Sequence, residues 1–258
     1  GLIPAGARAA AVSIAGVVDP ATRRIKVANL PCIDGEPLQD ALREALGLPV
    51  TVANDADCFT LAEAMAGAGV GHATVFGIIL GTGIGGGLVI DGRLLTGAGG
   101  YAGEWGHGPI LRAGMRVDGV EIPEMACGCG LRGCLNTLGA RGLEQMHRSL
   151  TGASRTSEEI VAGWFAKREP EARTIRIWLD VMSGALAMVL NVVGASVVPA
   201  GGGLSREAAL VAALDAAVRR KILRDRAGPL VVPALTTDEP GLIGASILGN
   251  QVFGHAAQ

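Results

Sequence analysis

Apolar positions along the chain come in two rhythms. Short unbroken runs recur at residues 10–15 (AAVSIA), 49–53 (PVTVA), 75–80 (VFGIIL), 87–90 (GLVI), 195–199 (ASVVP) and 230–234 (LVVPA). Runs of this length, bounded by glycine, aspartate or asparagine, predict buried strands. Between them lie stretches with helical spacing at residues 37–46, 55–66, 140–149, 157–167, 178–193, 206–223 and 241–248. Gly47 closes the first of these, and Ser157 is placed to cap the helix that it opens. The last is rich in small residues and suits close packing. Strands that alternate with helices predict an α/β fold.

The turns sharpen this outline. Asp91-Gly92 between apolar runs predicts a tight hairpin, with residues 93–95 as its return strand. Residues 17–24 (VVDPATRR) read as turn, and residues 97–134 as a glycine-rich loop. No charged residue falls between Val181 and Val198, the lower length limit for a membrane span. Ser183, Gly184, Asn191, Gly194 and Ser196 interrupt that stretch, so a buried helix followed by a strand is the better reading.

Composition narrows the class. With 49% hydrophobic and 18% charged residues, the 258-residue chain reads as globular, with one large or two modest cores. A formal net charge of −2 gives no electrostatic reason to expect nucleic acid or an anionic membrane as partner. Residues 1–11 lack the apolar core of a signal peptide. The five cysteines are an odd number, and three crowd into CGCGLRGC, a pattern of metal binding rather than of a disulfide framework. A cytoplasmic protein is expected.

Candidate chemistry gathers between residues 49 and 108. The strand at 49–53 delivers Asn54 and Asp55 to its end, where a helix begins at once. Asp55 is placed to cap that helix and to meet its positive end, which favours an ionised carboxylate. Whether Asp55 is a base or only a cap stays open on the residues alone. The next strand opens into Gly81-Thr82-Gly83-Ile84-Gly85-Gly86-Gly87, whose bare backbone can approach an anion closely. No Gly-Lys-Ser/Thr follows, so this is not a P-loop. A second cluster, Gly201-Gly202-Gly203, sits between a strand and a helix, where a nucleotide could meet a helix N-terminus. His107, Cys127, Cys129 and Cys134, spaced H-x19-C-x-C-x4-C, form a zinc set with every tetrahedral position filled, hence structural. Gly128, Gly130 and Gly133 allow the tight turns such a set needs. Glu104, three residues before His107, is either a solvated loop carboxylate or, held by the metal scaffold, a group placed to meet a ligand hydroxyl. His72, His147 and His255 read as ordinary loop or surface residues, and Cys32 and Cys58 as small buried or half-buried ones.

The pieces AGVVDPAT, ANLP, VANDADCFTLAEA, GIILGTGIGGGLVIDG, GEWGH, CGCGLRGC, ARG and PAGGGLS, in this order, resemble the ROK family of bacterial sugar kinases and sugar-responsive repressors. ANLP and GGGLVIDG are most similar to the N-acetylglucosamine kinases of that family. The resemblance implies an actin-like ATPase (ribonuclease H-like) fold, two lobes closing on sugar and ATP. Residues 1–70 would be the remainder of the N-terminal lobe, and residues 71–258 the C-terminal lobe. Asp55 would be the catalytic base for a sugar 6-hydroxyl. Asn29, Asn54, Asp55, Glu104 and His107 would bind the sugar, His107 using one ring nitrogen for it and the other for zinc. Gly81, Thr82, Gly83, Gly85 and Gly86 would cradle ATP phosphates, and Gly201, Gly202 and Gly203 the adenosine. ATP and magnesium would be needed for the reaction, and zinc for the sugar loop. The resemblance leaves a homodimer open.

Two features depart from the family pattern. The family's kinases begin with a hairpin carrying an Asp-x-Gly-x-Thr-Lys motif, whereas this sequence starts GLIPAGARAAAVSIAG, which would leave the first lobe incomplete, with unpaired strand edges, if nothing precedes it. The family also has a carboxylate two residues past the last cysteine, where this chain has Asn136. A non-catalytic sugar-binding protein of the family therefore stands as the alternative to a kinase.

Overall fold

The computed structural model of the chain describes residues 4, 6–27, 30–225 and 227–254. In chain order the elements are β1 (Ala10–Ile14), β2 (Val17–Val18), β3 (Ile25–Lys26), α1 (Leu38–Leu46), β4 (Val50–Asn54), α2 (Asp55–Ala66), β5 (Thr74–Leu80), β6 (Ile84–Ile90), β7 (Arg93–Leu94), β8 (Arg116–Val117), β9 (Val120–Glu121), α3 (Ala140–Thr151), α4 (Ser157–Phe165), α5 (Glu169–Val193), β10 (Val198–Gly201), α6 (Ala208–Arg219), β11 (Val231–Pro233) and α7 (Pro240–Phe253). The apolar runs became strands and the periodic stretches helices, which gives the α/β class expected.

Two compact units result, and neither is continuous in sequence. The first takes the described residues of Gly1–Gly77, Gly87–Gly103 and Leu235–Gln258; the second takes Ile78–Gly86 and Glu104–Ala234. Compactness thus divides the chain differently from a single cut after residue 70, because β5 and β6 pass from one unit to the other and the final helix returns to the first.

In the first unit β1 lies parallel to β4, with Ala10 opposite Val50 and Ile14 opposite Asn54. Among the described residues β4 is the only strand β1 pairs with. Helix α7 packs on α2 and β1. Its small residues make that approach possible: a Cβ on Gly244 would lie 1.8 Å from the Cys58 carbonyl oxygen, and one on Gly241 3.0 Å from the Ser13 hydroxyl. Glu63 of α2, fully buried, pins the returning chain. Its carboxylate accepts the N–H groups of Thr236 (2.7 Å), Ala68 (2.8 Å) and Leu235 (3.0 Å), and the Thr236 hydroxyl. A buried carboxylate is tolerated only when so satisfied. The β6–β7 hairpin turns through Asp91 and Gly92, both at positive φ (48° and 71°), as the dipeptide predicted. The segment read as turn at 17–24 is itself part of a small hairpin, Val17 opposite Lys26. Asp19 holds its bend by accepting the N–H groups of Ala21 and Thr22.

In the second unit β10 is parallel both to β11 and to the end of β5, with Ala200 opposite Ile78 and Gly201 opposite Ile79. Helices α3, α4 and α6 pack on α5. Three expectations are corrected here. Helix α5 begins at Glu169, not near residue 178, because Thr174, Ile175 and Ile177 already face inward while Arg173 and Arg176 point out. Helix α4 is capped by Thr156 in a capping box with Glu159, not by Ser157. The loop at 97–134 contains the β8–β9 hairpin, turned by Asp118 and Gly119 at positive φ. Among the described residues α5 alone is long and apolar enough to cross a membrane. Its inner face is core, with Trp178 fully buried and its Nε1 donating to the Leu138 carbonyl at 2.8 Å.

Candidate active site

In the first unit the candidate residues stand at the junction of β4 and α2. Asn54, in extended backbone conformation, is the cap of α2: its Oδ1 accepts the Ala56 N–H at 2.8 Å and its Nδ2 donates to the Gly16 carbonyl at 3.3 Å. Asp55 is the first helical residue rather than the cap. It is exposed, and its Oδ1 makes one local contact, to the same Ala56 N–H at 3.0 Å. The division of labour is physical: Asn54 fixes the helix start, which leaves the Asp55 carboxylate presented to solvent. Asn54 also lines a cavity of about 380 Å³ with Thr51, Asp57, Arg93, Thr96 and Gln251. Asn29 lies outside the described residues.

In the second unit the two glycine clusters meet at the ends of neighbouring strands. Gly202, at φ 91°, lies so close to the end of β5 that a Cβ would sit 2.6 Å from the Leu80 carbonyl and 2.9 Å from the Gly81 nitrogen. Only glycine permits that approach. Gly81 N–H closes the turn on the Gly83 carbonyl at 3.0 Å, and Thr82 is exposed at its tip. Gly85 and Gly86 fall within β6, so the turn proper is Gly81 to Gly83. The helix after the second cluster is not open as expected: a 3-10 turn (Gly203–Arg206) intervenes, and the Glu207 carboxylate already accepts the Ala209 N–H at the start of α6. The helix that reaches the glycine turn is α3. Its Gly139 cap position supplies no side chain, and Ala140 N–H donates to the Gly81 carbonyl at 2.8 Å.

The same unit assembles the metal-type residues. The ligand atoms of His107, Cys127, Cys129 and Cys134 all lie within 4.8 Å of one another. Cys127 Sγ is 3.7 Å from His107 Nδ1, and Cys129 Sγ is 3.6 Å from Cys134 Sγ. Zinc–sulfur bonds of about 2.3 Å put tetrahedral sulfurs about 3.8 Å apart, so the cluster fits a four-coordinate ion. Gly130 and Gly133 turn the loop at positive φ, and at Gly133 a Cβ would strike the Leu111 carbonyl at 1.9 Å. Burial pushes the Cys134 thiol up to about 11. Burial also opposes ionisation at Cys127, but hydrogen bonds from the Cys129 backbone, the Cys129 and Asn136 side chains and Cys134 outweigh it and hold that thiol below its ordinary value. With Nδ1 on the sulfur side, His107 turns Nε2 outward, 3.7 Å from Glu104 Oε2.

Other reactive-looking groups have structural roles. His147 is buried, not a surface residue, and its Nδ1 meets the Thr174 hydroxyl at 2.8 Å. Cys58 is buried, which raises its thiol to about 11.

Comparison with known proteins adds four findings. The profile of the ROK family matches residues 5–252. The N-acetyl-D-glucosamine kinase of Pasteurella multocida (strain Pm70) is 34% identical over 239 residues, 92% of this chain and 79% of that protein. Among solved structures, a ROK hexokinase from Thermus thermophilus superposes with a TM-score of 0.80 at 30% identity, covering 95% of this chain and 79% of its own. A ROK family glucokinase from Streptomyces griseus, in complex with glucose and AMPPNP, gives 0.76 at 28% identity, covering 95% and 82%.

Proposed function

The chain belongs to the ROK family, and on that footing we propose that it is an ATP-dependent kinase of N-acetylhexosamines, with N-acetyl-D-glucosamine as substrate and the 6-hydroxyl as acceptor. The observation that carries the reading is the backbone contact of Gly202 with Leu80 and Gly81, which sets two glycine clusters side by side at the ends of parallel strands. Such strand ends are where α/β sheets take ligands.

Each residue group has a task in this reading. Asp55 accepts the proton as the hydroxyl oxygen attacks the γ-phosphorus, and ADP departs with the bridging oxygen. Asn54 keeps the start of α2 in place while its side chain meets a sugar hydroxyl, and Asn29 also binds the sugar. Glu104 and the Nε2 face of His107 take the anomeric side of the sugar. Gly81, Thr82 and Gly83 hold the phosphates, Gly85 and Gly86 shape the strand that leaves them, and Gly201, Gly202 and Gly203 border the adenosine. Phosphoryl transfer depends mostly on positioning and charge neutralisation, the latter supplied by magnesium carried on ATP. His107, Cys127, Cys129 and Cys134 hold zinc, which when bound orders the sugar loop and takes no part in the transfer. A cytoplasmic location, sugar and ATP as small-molecule partners, and room for a homodimer accord with this role.

ADP release with magnesium-ATP and a panel of N-acetylglucosamine, N-acetylmannosamine, glucose and fructose tests the reading. The expected result is the highest kcat/KM on an N-acetyl sugar, with carbon NMR of the product showing phosphate on C6. Saturable sugar binding without turnover on any of the four would instead establish a non-catalytic sugar-binding member of the family.

A further inference from the structure

The side chain of Asn136 joins two parts of the second unit that the sequence keeps far apart. Its Oδ1 accepts the N–H of Ile84, the first residue of β6, at 2.7 Å. Its Nδ2 faces Cys127 Sγ at 3.7 Å. Its own N–H donates to the Gly106 carbonyl at 2.6 Å, next to His107. One half-buried residue therefore touches the glycine turn and one metal ligand through its side chain, and the neighbour of another ligand through its backbone.

The glycine turn is shaped around this contact. A Cβ on Gly83 would lie 2.3 Å from Asn136 Oδ1, and one on Gly139 2.4 Å from the Thr82 carbonyl. The segment holding Asn136 begins at Cys134, the residue before the 3-10 turn Leu135–Leu138, and ends where Ala140 N–H meets the Gly81 carbonyl. From the other side Trp105 Nε1 donates to the Gly85 carbonyl at 2.8 Å, and a Cβ on Gly106 would lie 2.1 Å from the Ile84 carbonyl. Both clamps on the turn thus run directly into a metal-type ligand, Cys134 in one and His107 in the other.

We propose that Asn136 is a positioning residue that couples the Cys–His metal centre to the Gly81–Ile84 turn, so that metal occupancy sets the shape of the turn. The phosphate role of that turn rests on the kinase reading; the coupling itself does not. An asparagine suits the task because it accepts and donates at once. The carbonyl oxygen serves the Ile84 amide while the NH2 group serves a thiolate sulfur. Aspartate keeps the first contact and loses the second.

The test uses the full chain, loaded with zinc and stripped of it. Amide hydrogen exchange of residues 81–84 should speed up about tenfold on zinc removal, the scale of one lost hydrogen bond. Zinc-loaded Asn136→Ala should already exchange at that faster rate while keeping one zinc per chain. In turnover its KM for ATP should rise about tenfold with the sugar KM within twofold of the parent, and Asn136→Asp should restore much of the ATP KM. Exchange at 81–84 indifferent to zinc, or Asn136→Ala exchanging like the parent, would overturn the coupling. An Asn136→Asp protein no better than Asn136→Ala would overturn the role of the Ile84 contact, and it carries the test if the alanine variant fails to fold. A parent that turns over no sugar would sink the kinase reading and leave the exchange and zinc measurements to decide the coupling.

Discussion

Two strand ends carry the candidate chemistry, and they are built in opposite ways. At the end of β4 one residue is fixed and the next is left loose: Asn54 uses both side-chain ends on the backbone, and Asp55 stands exposed. At the end of β5 no reactive side chain is offered. There a carbon added at Gly83 would collide with Asn136, and one added at Gly139 or Gly202 would collide with the backbone of the turn. The first end presents a functional group and tolerates change around it. The second presents a backbone shape, held at Gly83, Gly139 and Gly202 by close neighbours. A site that moves a proton needs a group with freedom to meet its substrate, and one that cradles an anion needs a backbone that does not yield.

Substitutions should separate these designs. The largest effect is expected at the exposed carboxylate. Asp55→Asn should lower kcat by about a thousandfold or more, since it removes the base while keeping size and polarity. Sugar affinity by calorimetry should stay within threefold, and unchanged turnover would end the catalytic assignment. Next comes the metal cluster, where Cys129→Ser should cut zinc affinity about a hundredfold by metal-chelator competition. Sugar affinity should weaken with it; full affinity in a zinc-free preparation would show that the two are unrelated. Gly83→Ala should destabilise the second unit by about 1–3 kcal/mol through overpacking against Asn136, read as a lower unfolding midpoint in urea. An alanine accepted there without loss would mean that the turn is softer than its contacts imply. The smallest effect is expected at Asn54→Ala, which should cost about 1 kcal/mol from the lost cap. Because Asp55 also reaches the Ala56 N–H, part of that loss should be recovered, and an Asn54→Ala, Asp55→Ala double variant should lose more than the single one.

What was legible in the sequence was mostly local. Apolar runs located β1, β4, β5, β10 and β11 because strand burial shows in consecutive residues. The spacing of His107 and the three cysteines announced their meeting because few other arrangements satisfy that donor set. Asp91-Gly92 gave its turn, yet Asp118-Gly119, the same signal, was passed over because the strands beside it are two residues each and leave no alternation to see. The start of α5 was hidden by the arginines on its outer face. At β4 the cap expected at Asp55 is Asn54 instead, one residue earlier, although both side chains reach the same amide. Asn136 stood out only as a departure from a pattern. Its task depends on a partner 52 residues away, and no local rule contains that distance. The family resemblance fared better than any single residue, because eight short pieces in order constrain the fold jointly.

The return of α7 to the first unit has a consequence for biosynthesis. Helix α2 emerges from the ribosome early, with Glu63 as an apolar-side carboxylate and the surface that Gly244 will approach still uncovered. Its partners, Thr236 and the small residues of α7, are translated about 170 residues later, some ten seconds or more at 5–20 residues per second. Until then that acid has only the Ala68 N–H of its final donors, and the second unit receives its last residue, Ala234, just before Leu235 and Thr236 follow. The first unit therefore closes last, once α7 has been added behind the residues of the second.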